Sequence, residues 1–535
     1  MFSFQDPHPI KIEIESVAPT DPLSRDGQPV PPPLPSPPPL LHALHNRFQG
    51  LLGARIPESI LRKAVGRVGM VVARTGSTGS RGAAEGRRRL VTTALCALAF
   101  FAEVADEQIT PALFLPMGKT FELSPSQLGM LTLSRALVQA VASFVTGYLA
   151  TKYRRVTIIG AGCISWGVCT FLVGSSVTYQ MALTFSALNG VGLAVVIPSV
   201  QSTLADYYPA EVRGATFGSV GFVSSLGGVL GGIYATNLGA RAVMGRPGWR
   251  FVFHSTGVFS LVTGFAVLFF AHEPPGSQRS PQKPRQQGLR EHFGTLVNVC
   301  RIPSFRLIIL QGVFGTLPWN ALAYMTLWFQ LLGFTDWQAS LMRAIFAVGQ
   351  SLGLLLGGIL GDISSQLFPS SGRILIAQTS VASGLPLSIL LFRGLPQNAA
   401  SDLLPWYAMT LAVMGLSISW PASACNSPVF ADIVPPETRT SIYAFDRSFE
   451  GAMGAFGTPA VGAIAQFAFG MSLSKAYDKG TSLSDARALS DSLLVMLLYP
   501  WTVCLLFYFL LHVYYKKDRQ NAQARKGAAY APLIE

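Results

Sequence analysis

An all-α integral membrane protein of about twelve transmembrane helices, arranged as two pseudo-symmetric six-helix bundles, is the fold this sequence predicts. Three observations predict it. From Leu90 onward, apolar stretches of about twenty residues follow one another, and about twenty residues at ~1.5 Å rise cross a ~30 Å hydrocarbon core. Charged residues make up only 13% of the chain, about half the share of a soluble domain. A polar pattern also recurs at the matching place of each half.

The expected spans one to twelve lie near 90–117, 127–151, 156–175, 179–205, 213–239, 250–271, 305–332, 337–363, 372–393, 405–431, 440–470 and 491–514. Residues 1–88 precede them as an expected cytoplasmic tail. It holds a run of almost only Pro, Leu and Ser from Pro31 to Pro39, which favours extended or disordered chain. Segment 40–72 intersperses apolar residues with Arg55, Arg62, Lys63 and Arg67, a pattern that fits an amphipathic helix on an anionic membrane face. Five acids in the first thirty residues argue against a transit peptide.

The basic residues give an orientation. Arg87 to Arg89, Lys152, Arg154, Arg155, the cluster Arg279 to Arg306, and Lys516, Lys517 and Arg519 all fall on one side when the span count is even. That side is expected to be cytoplasmic, with both termini inside. Arg241, Arg246 and Arg250 lie on the other side as an exception. The bundles are expected at 89–272 and 305–515, joined by a basic cytoplasmic linker at 273–304 and followed by a tail at 516–535. The formal net charge of +13 sits mostly in these short loops and at the ends, so nucleic-acid binding is not expected. The six cysteines show no metal spacing and read as small buried residues. No metal or cofactor is expected, no P-loop is present, and no catalytic set points to an enzyme.

The repeat is the most specific signal. Ala205-Asp206-Tyr207-Tyr208-Pro209-Ala210-Glu211-Val212-Arg213 follows span four, and Ala431-Asp432-Ile433-Val434-Pro435-Pro436-Glu437-Thr438-Arg439 follows span ten. A second pair ends the second span of each half: Gly147-Tyr148-Leu149-Ala150-Thr151 against Gly358-Ile359-Leu360-Gly361-Asp362. Parallel six-span repeats with a midplane site between them are a transporter architecture.

At these residues the sequence resembles the major facilitator superfamily, and within it the spinster-like branch and related plant and algal members. The branch resemblance rests on Ala205 to Gly218, Gly248-Trp249-Arg250, Trp420 to Arg439 and Tyr443 to Glu450. It implies a secondary carrier and says little about the cargo; a monomer moving a small organic solute is expected, with an anionic or lysolipid-like solute as the candidate cargo and protons as a candidate coupling ion. A non-transporting receptor or scaffold and a membrane enzyme are the alternatives. The resemblance also implies a cytoplasmic gating layer built from Lys152, Arg155, Asp206, Arg213, Asp362, Arg373, Asp432 and Arg439. Thr151 departs from the family's acid, which should weaken the first-half latch. An arginine common in span four is replaced by Ser186, so proton coupling through that position is not expected.

Ionisable groups inside a bilayer are costly and therefore candidates for function. Glu103, Asp106 and Glu107 share one face of span one. By helix rise, Glu103 lies about 20 Å from one edge and Arg135 of span two about 13 Å from the other, which makes an Arg135 pair with Glu103 or Asp106 plausible. A purely structural ion pair is the alternative. Arg343 of span eight stands about one turn from the counterpart of Arg135, so one arginine per half can clasp an anionic group. Asp446 and Glu450 share a face of span eleven, where the repeat places Val220 and Ser224 in span five. Asn320 and Tyr324 beside Pro318, and Asn426 beside Pro421 and Pro428, mark broken helices suited to lining a cavity. Gly221, Gly227, Gly228, Gly231 and Gly232 predict close packing of span five.

Overall fold

The computed structural model describes residues 80–208, 210–274, 301–398, 401–433, 446, 449–479 and 481–530. The Pro-rich and amphipathic tail segments, most of the linker, and Arg439 lie outside them. Among the described residues, nine helices are long and apolar enough to cross a membrane: Arg155–Ser175, Tyr179–Tyr207, Thr216–Gly239, Gly248–Phe270, Pro303–Leu332, Asp336–Leu367, Gly372–Gly394, Leu404–Phe430 and Leu483–Ala522. They fill positions three to ten and twelve of the expected series. Position one is Ser80–Ala112 continued by Phe114–Phe121, and position two is Pro125–Lys152. Position eleven is described at residues 446 and 449–468. The chain is an integral multi-pass membrane protein.

The ends of these helices have local causes. Ser124 caps span two, and Gln127 returns its side chain to the Ser124 amide. Thr335 and Gln338 form the same capping box at span eight. Before each box the chain turns through the left-handed region, at Glu122 with φ 53° and at Gly333 with φ 97°. The same register therefore recurs in both halves where the residues themselves differ. The last helix runs from Leu483 to Tyr530, so much of the segment expected as a tail continues span twelve.

Packing explains the exceptional arginine on the weakly basic side. Arg250, at the start of span six, donates to the carbonyls of Gly174 and Ser176 at 2.9 and 2.5 Å and stacks 4.4 Å over the Trp249 ring. A cation there satisfies the free carbonyls at the C-terminus of span three. Close approach of span five to span one uses two of the five predicted glycines: a Cβ at Gly227 or Gly231 would collide with the backbone of Phe101 or Ala105. Gly221 meets nothing within 4 Å.

The halves join away from the basic end. One core cluster holds only first-half residues, among them Cys96, Cys163, Trp166 and Leu204. The larger one mixes Ile109, Phe114 and Leu128 with Tyr324, Trp328 and Phe430. Span two packs on span eleven, and span five on span eight. Ser126 donates to Gln466 at 2.7 Å, Tyr477 to the Leu123 carbonyl at 2.5 Å, Tyr324 to the Pro125 carbonyl, and Asn237 to Ser340 at 3.1 Å. Among the described residues, side-chain contacts between halves run from the middle of the bundle to this far end.

Candidate functional site

Four helices of the first half converge on Asp106. Gly190 permits it: a Cβ there would strike the Arg135 carbonyl and the Gln139 amide, so span four lies directly on span two. Its neighbour Asn189 then donates to Asp106 Oδ2 at 3.4 Å and to Thr170 at 2.8 Å. Thr170 of span three donates to Asp106 Oδ1 at 2.9 Å. Arg135 places Nη1 3.7 Å from Asp106 and Nη2 3.6 Å from Glu107. Asp106 is 5% exposed and Glu107 57%, so one guanidinium bridges a buried and an open carboxylate. Glu103, one turn before Asp106, is buried with its Oε2 lacking a hydrogen bond, and no Arg135 contact within 4.0 Å reaches it. Of the two partners expected for Arg135, the geometry brings in Asp106 and adds Glu107 in place of Glu103.

The second half reaches the same stretch of span one. Arg343 donates Nη2 to Gln108 Oε1 at 3.2 Å and lies 5.6 Å over the Phe346 ring. Among the described residues, no carboxylate lies within 4.0 Å of Arg343. Phe346 occupies the second-half counterpart of Arg135, counting from the two capping boxes, and Trp319 packs on it at 6.2 Å. The residues 106–108 thus meet one arginine from each half.

The other candidates sit apart from this meeting point. Glu450 lays its carboxylate where a Cβ of Gly312 would be, so glycine at 312 is what admits it beside span seven. Its carbonyl accepts from Thr316 at 3.3 Å. Asp446 is buried. Asn320 faces span eleven, with its carbonyl accepting from Thr458 at 2.8 Å. Asn426 lies in a π-helical turn, Ala422–Asn426, and accepts from Tyr508 at 2.8 Å. Such turns are frequent at functional sites. Tyr324 belongs to the contact that closes the far end.

At the basic end, Arg155 pairs with Asp206 and donates to the Ser202 carbonyl at 3.2 Å. The Glu273 carboxylate accepts from the amides of Arg155 and Val156 at 3.2 and 3.3 Å, which caps the N-terminus of span three. In the second half Arg373 binds Asp362 at 2.7 Å and the Ala424 carbonyl at 3.2 Å. Asp432 instead accepts from Tyr515 at 2.7 Å and lies 3.5 Å from Arg519. The side chains of Lys152 and Arg213 lie outside the description.

Reading the sequence missed Gln108, Thr170, Asn189, Tyr508, Tyr515 and Glu273. Gln108 carried a usable signal, since it adjoins Glu107, a residue already singled out.

The chain matches the model of the Major Facilitator Superfamily over residues 92–458. Similar proteins include the probable sulfoacetate transporter SauU of Cupriavidus necator, 23% identical over 305 residues, which are 55% of this chain and 69% of that one. Protein spinster of Drosophila melanogaster is 22% identical over 358 residues, 65% of this chain and 57% of that protein, so the match spans less than two thirds of it. Among solved structures, a bacterial homolog of the human lysosomal transporter spinster, inward-facing and unoccupied, aligns with TM-score 0.67 at 20% identity, covering 83% of this chain and 99% of that one. A D-xylose-proton symporter aligns with TM-score 0.57 at 16% identity, covering 77% and 97%. These similarities point to a membrane transporter and not to an enzyme, and with the family's model matched across both bundles, the chain belongs to the major facilitator superfamily.

Proposed function

We propose that the chain is a secondary carrier of a small organic anion or of a zwitterionic, lysolipid-like amphiphile, moved by alternating access, with the basic end in the cytosol. The observation that carries this reading is the arrival of Arg135 and Arg343, one from each half, on consecutive residues of span one. A group bound there touches both halves, so its binding free energy acts on their rocking. Guanidinium suits carboxylate, sulfonate and phosphate because its planar donors match their oxygens. One relative is named for sulfoacetate, an organic anion, and others are spinster proteins. A proton is the candidate coupling ion, with Glu450 as its candidate site near the midplane.

Purified full-length protein in proteoliposomes tests the reading, with labelled sulfoacetate, simple carboxylates and lysophosphatidylcholine offered at equal concentration. Counterflow of at least one anionic or zwitterionic solute, absent from protein-free vesicles, is expected. Counterflow of neutral or cationic solutes alone would overturn the anionic cargo. Tight binding without flux would point to a receptor on a carrier fold.

A further inference from the structure

We propose that Gln108 sets the charge selectivity of the carrier, by holding Arg343 with a neutral acceptor so that its charge remains available to an anionic group of the cargo. The inference rests on the anionic reading above and divides the work between the two arginines.

Arg135 already faces two carboxylates, Asp106 at 3.7 Å and Glu107 at 3.6 Å. An incoming anion would have to displace one of them and meet the repulsion of both. Arg343 differs in kind. It is half-buried, its hydrogen bond goes to an uncharged amide oxygen at 3.2 Å, and its other close neighbour is the face of Phe346 at 5.6 Å. Only the carbonyl side of a glutamine amide accepts, so this bond orients the guanidinium without neutralising it. A Cβ at Gly228 would lie 3.6 Å from Gln108 Cγ, and one at Gly232 would lie 3.9 Å from its Cβ. Span five therefore leaves Gln108 room without crowding it. The acid that precedes Gln108, Glu107, pairs with Arg135 at 3.6 Å and attracts Arg343 only from beyond 4.0 Å. Residues 106 to 108 thus read carboxylate, carboxylate, amide, and the single amide falls to the arginine from the other half.

Specificity of this kind is a difference between two outcomes. With glutamine at 108, an anion replaces an ion–dipole hydrogen bond by an ion pair and gains. With glutamate there, the anion must displace an ion already paired with Arg343, and gains little.

The test uses two near-isosteric pairs at one position, Gln108 with Gln108→Glu, and Gln108→Asn with Gln108→Asp, in the full chain purified in detergent. Thermal stabilisation is measured against methanesulfonate and acetate, each compared with chloride at equal ionic strength. The Glu variant should need at least about tenfold more anion than the parent for the same shift, because a carboxylate bound to guanidinium is a charge-assisted competitor. The Asn variant should stay within about threefold of the parent, since it keeps a neutral acceptor. The Asn and Asp variants decide the matter if Gln108→Glu is not monodisperse. Equal anion response within each pair would overturn the proposal while leaving the anionic reading intact. A parent that responds to neither anion beyond chloride would overturn both.

Discussion

In the first half, Gly190 of span four rests on the backbone of Arg135 and Gln139 in span two; in the second, Gly415 of span ten rests on that of Phe346 and Gln350 in span eight. The approach is the same, and the chemistry placed on it differs. Arg135 gathers Asp106 and Glu107, whereas Phe346 packs at a tilt against Trp319 and receives the cation of Arg343. The basic end repeats the lesson. Arg155 and Arg373 both stand at the start of a third span, yet Arg155 takes Asp206 and Arg373 takes Asp362. Where Thr151 replaces the motif acid in the first half, the arginine turns to the acid in the last turn of span four. Where Asp362 is present, Asp432 is left for Tyr515 and Arg519 of span twelve. Glycines and caps fix the frame of a half, and the charges on that frame are free to find new partners.

The largest effect should come from removing the first-half charge. Arg135→Ala leaves Asp106 and Glu107 without their cation and is expected to abolish counterflow with little loss of protein in the membrane. Normal transport by this variant would break the assignment of a charged half and an aromatic half. Glu450→Gln touches an acid for which span five has no counterpart. It should keep cargo exchange but lose accumulation driven by a pH gradient, measured side by side in proteoliposomes. Undiminished accumulation would remove Glu450 from coupling.

The glycine equivalence predicts a stability effect of equal size in the two halves. Gly190→Leu and Gly415→Leu should each destabilise by about 1–3 kcal/mol through overpacking, whereas Gly221→Ala should cost nothing and can stabilise by up to about 1 kcal/mol, because nothing lies within 4 Å of its Cβ and alanine is the better helix former. Melting of the detergent-purified variants checks this, and a loss confined to one half would show that the two approaches are not equivalent. The smallest effects belong to the basic end. Asp362 is 70% exposed in its pair with Arg373 and Asp206 is 43% exposed in its pair with Arg155. Double-mutant cycles on melting should give coupling of about 0.2–1 kcal/mol for each, as exposed ion pairs do.

Much of the frame was legible in the sequence because span length and loop charge are one-dimensional quantities. The run 156–175 was found as Arg155–Ser175 and the run 372–393 as Gly372–Gly394. Depth along a helix was legible too, which is why Arg135 was matched to span one. Direction around the helix axis was not. Glu103 and Asp106 are one turn apart, and only packing against Thr170 and Asn189 decides that Asp106 is the one Arg135 reaches. Partners brought in by a different helix, such as Gln108 for Arg343 or Glu273 for the start of span three, depend on tertiary approach and leave no spacing in the chain.

The central claim, that the halves meet on an anionic group held by Arg343, is tested most directly by counterflow of one cargo in two charge states. A transported carboxylate or sulfonate and its neutral amide are offered to parent and Arg343→Gln vesicles. The account predicts flux of the anion by the parent, little flux of the amide, and loss of the anion's flux in Arg343→Gln. Equal flux of anion and amide by the parent, or an anion flux in Arg343→Gln that matches the parent, would contradict it.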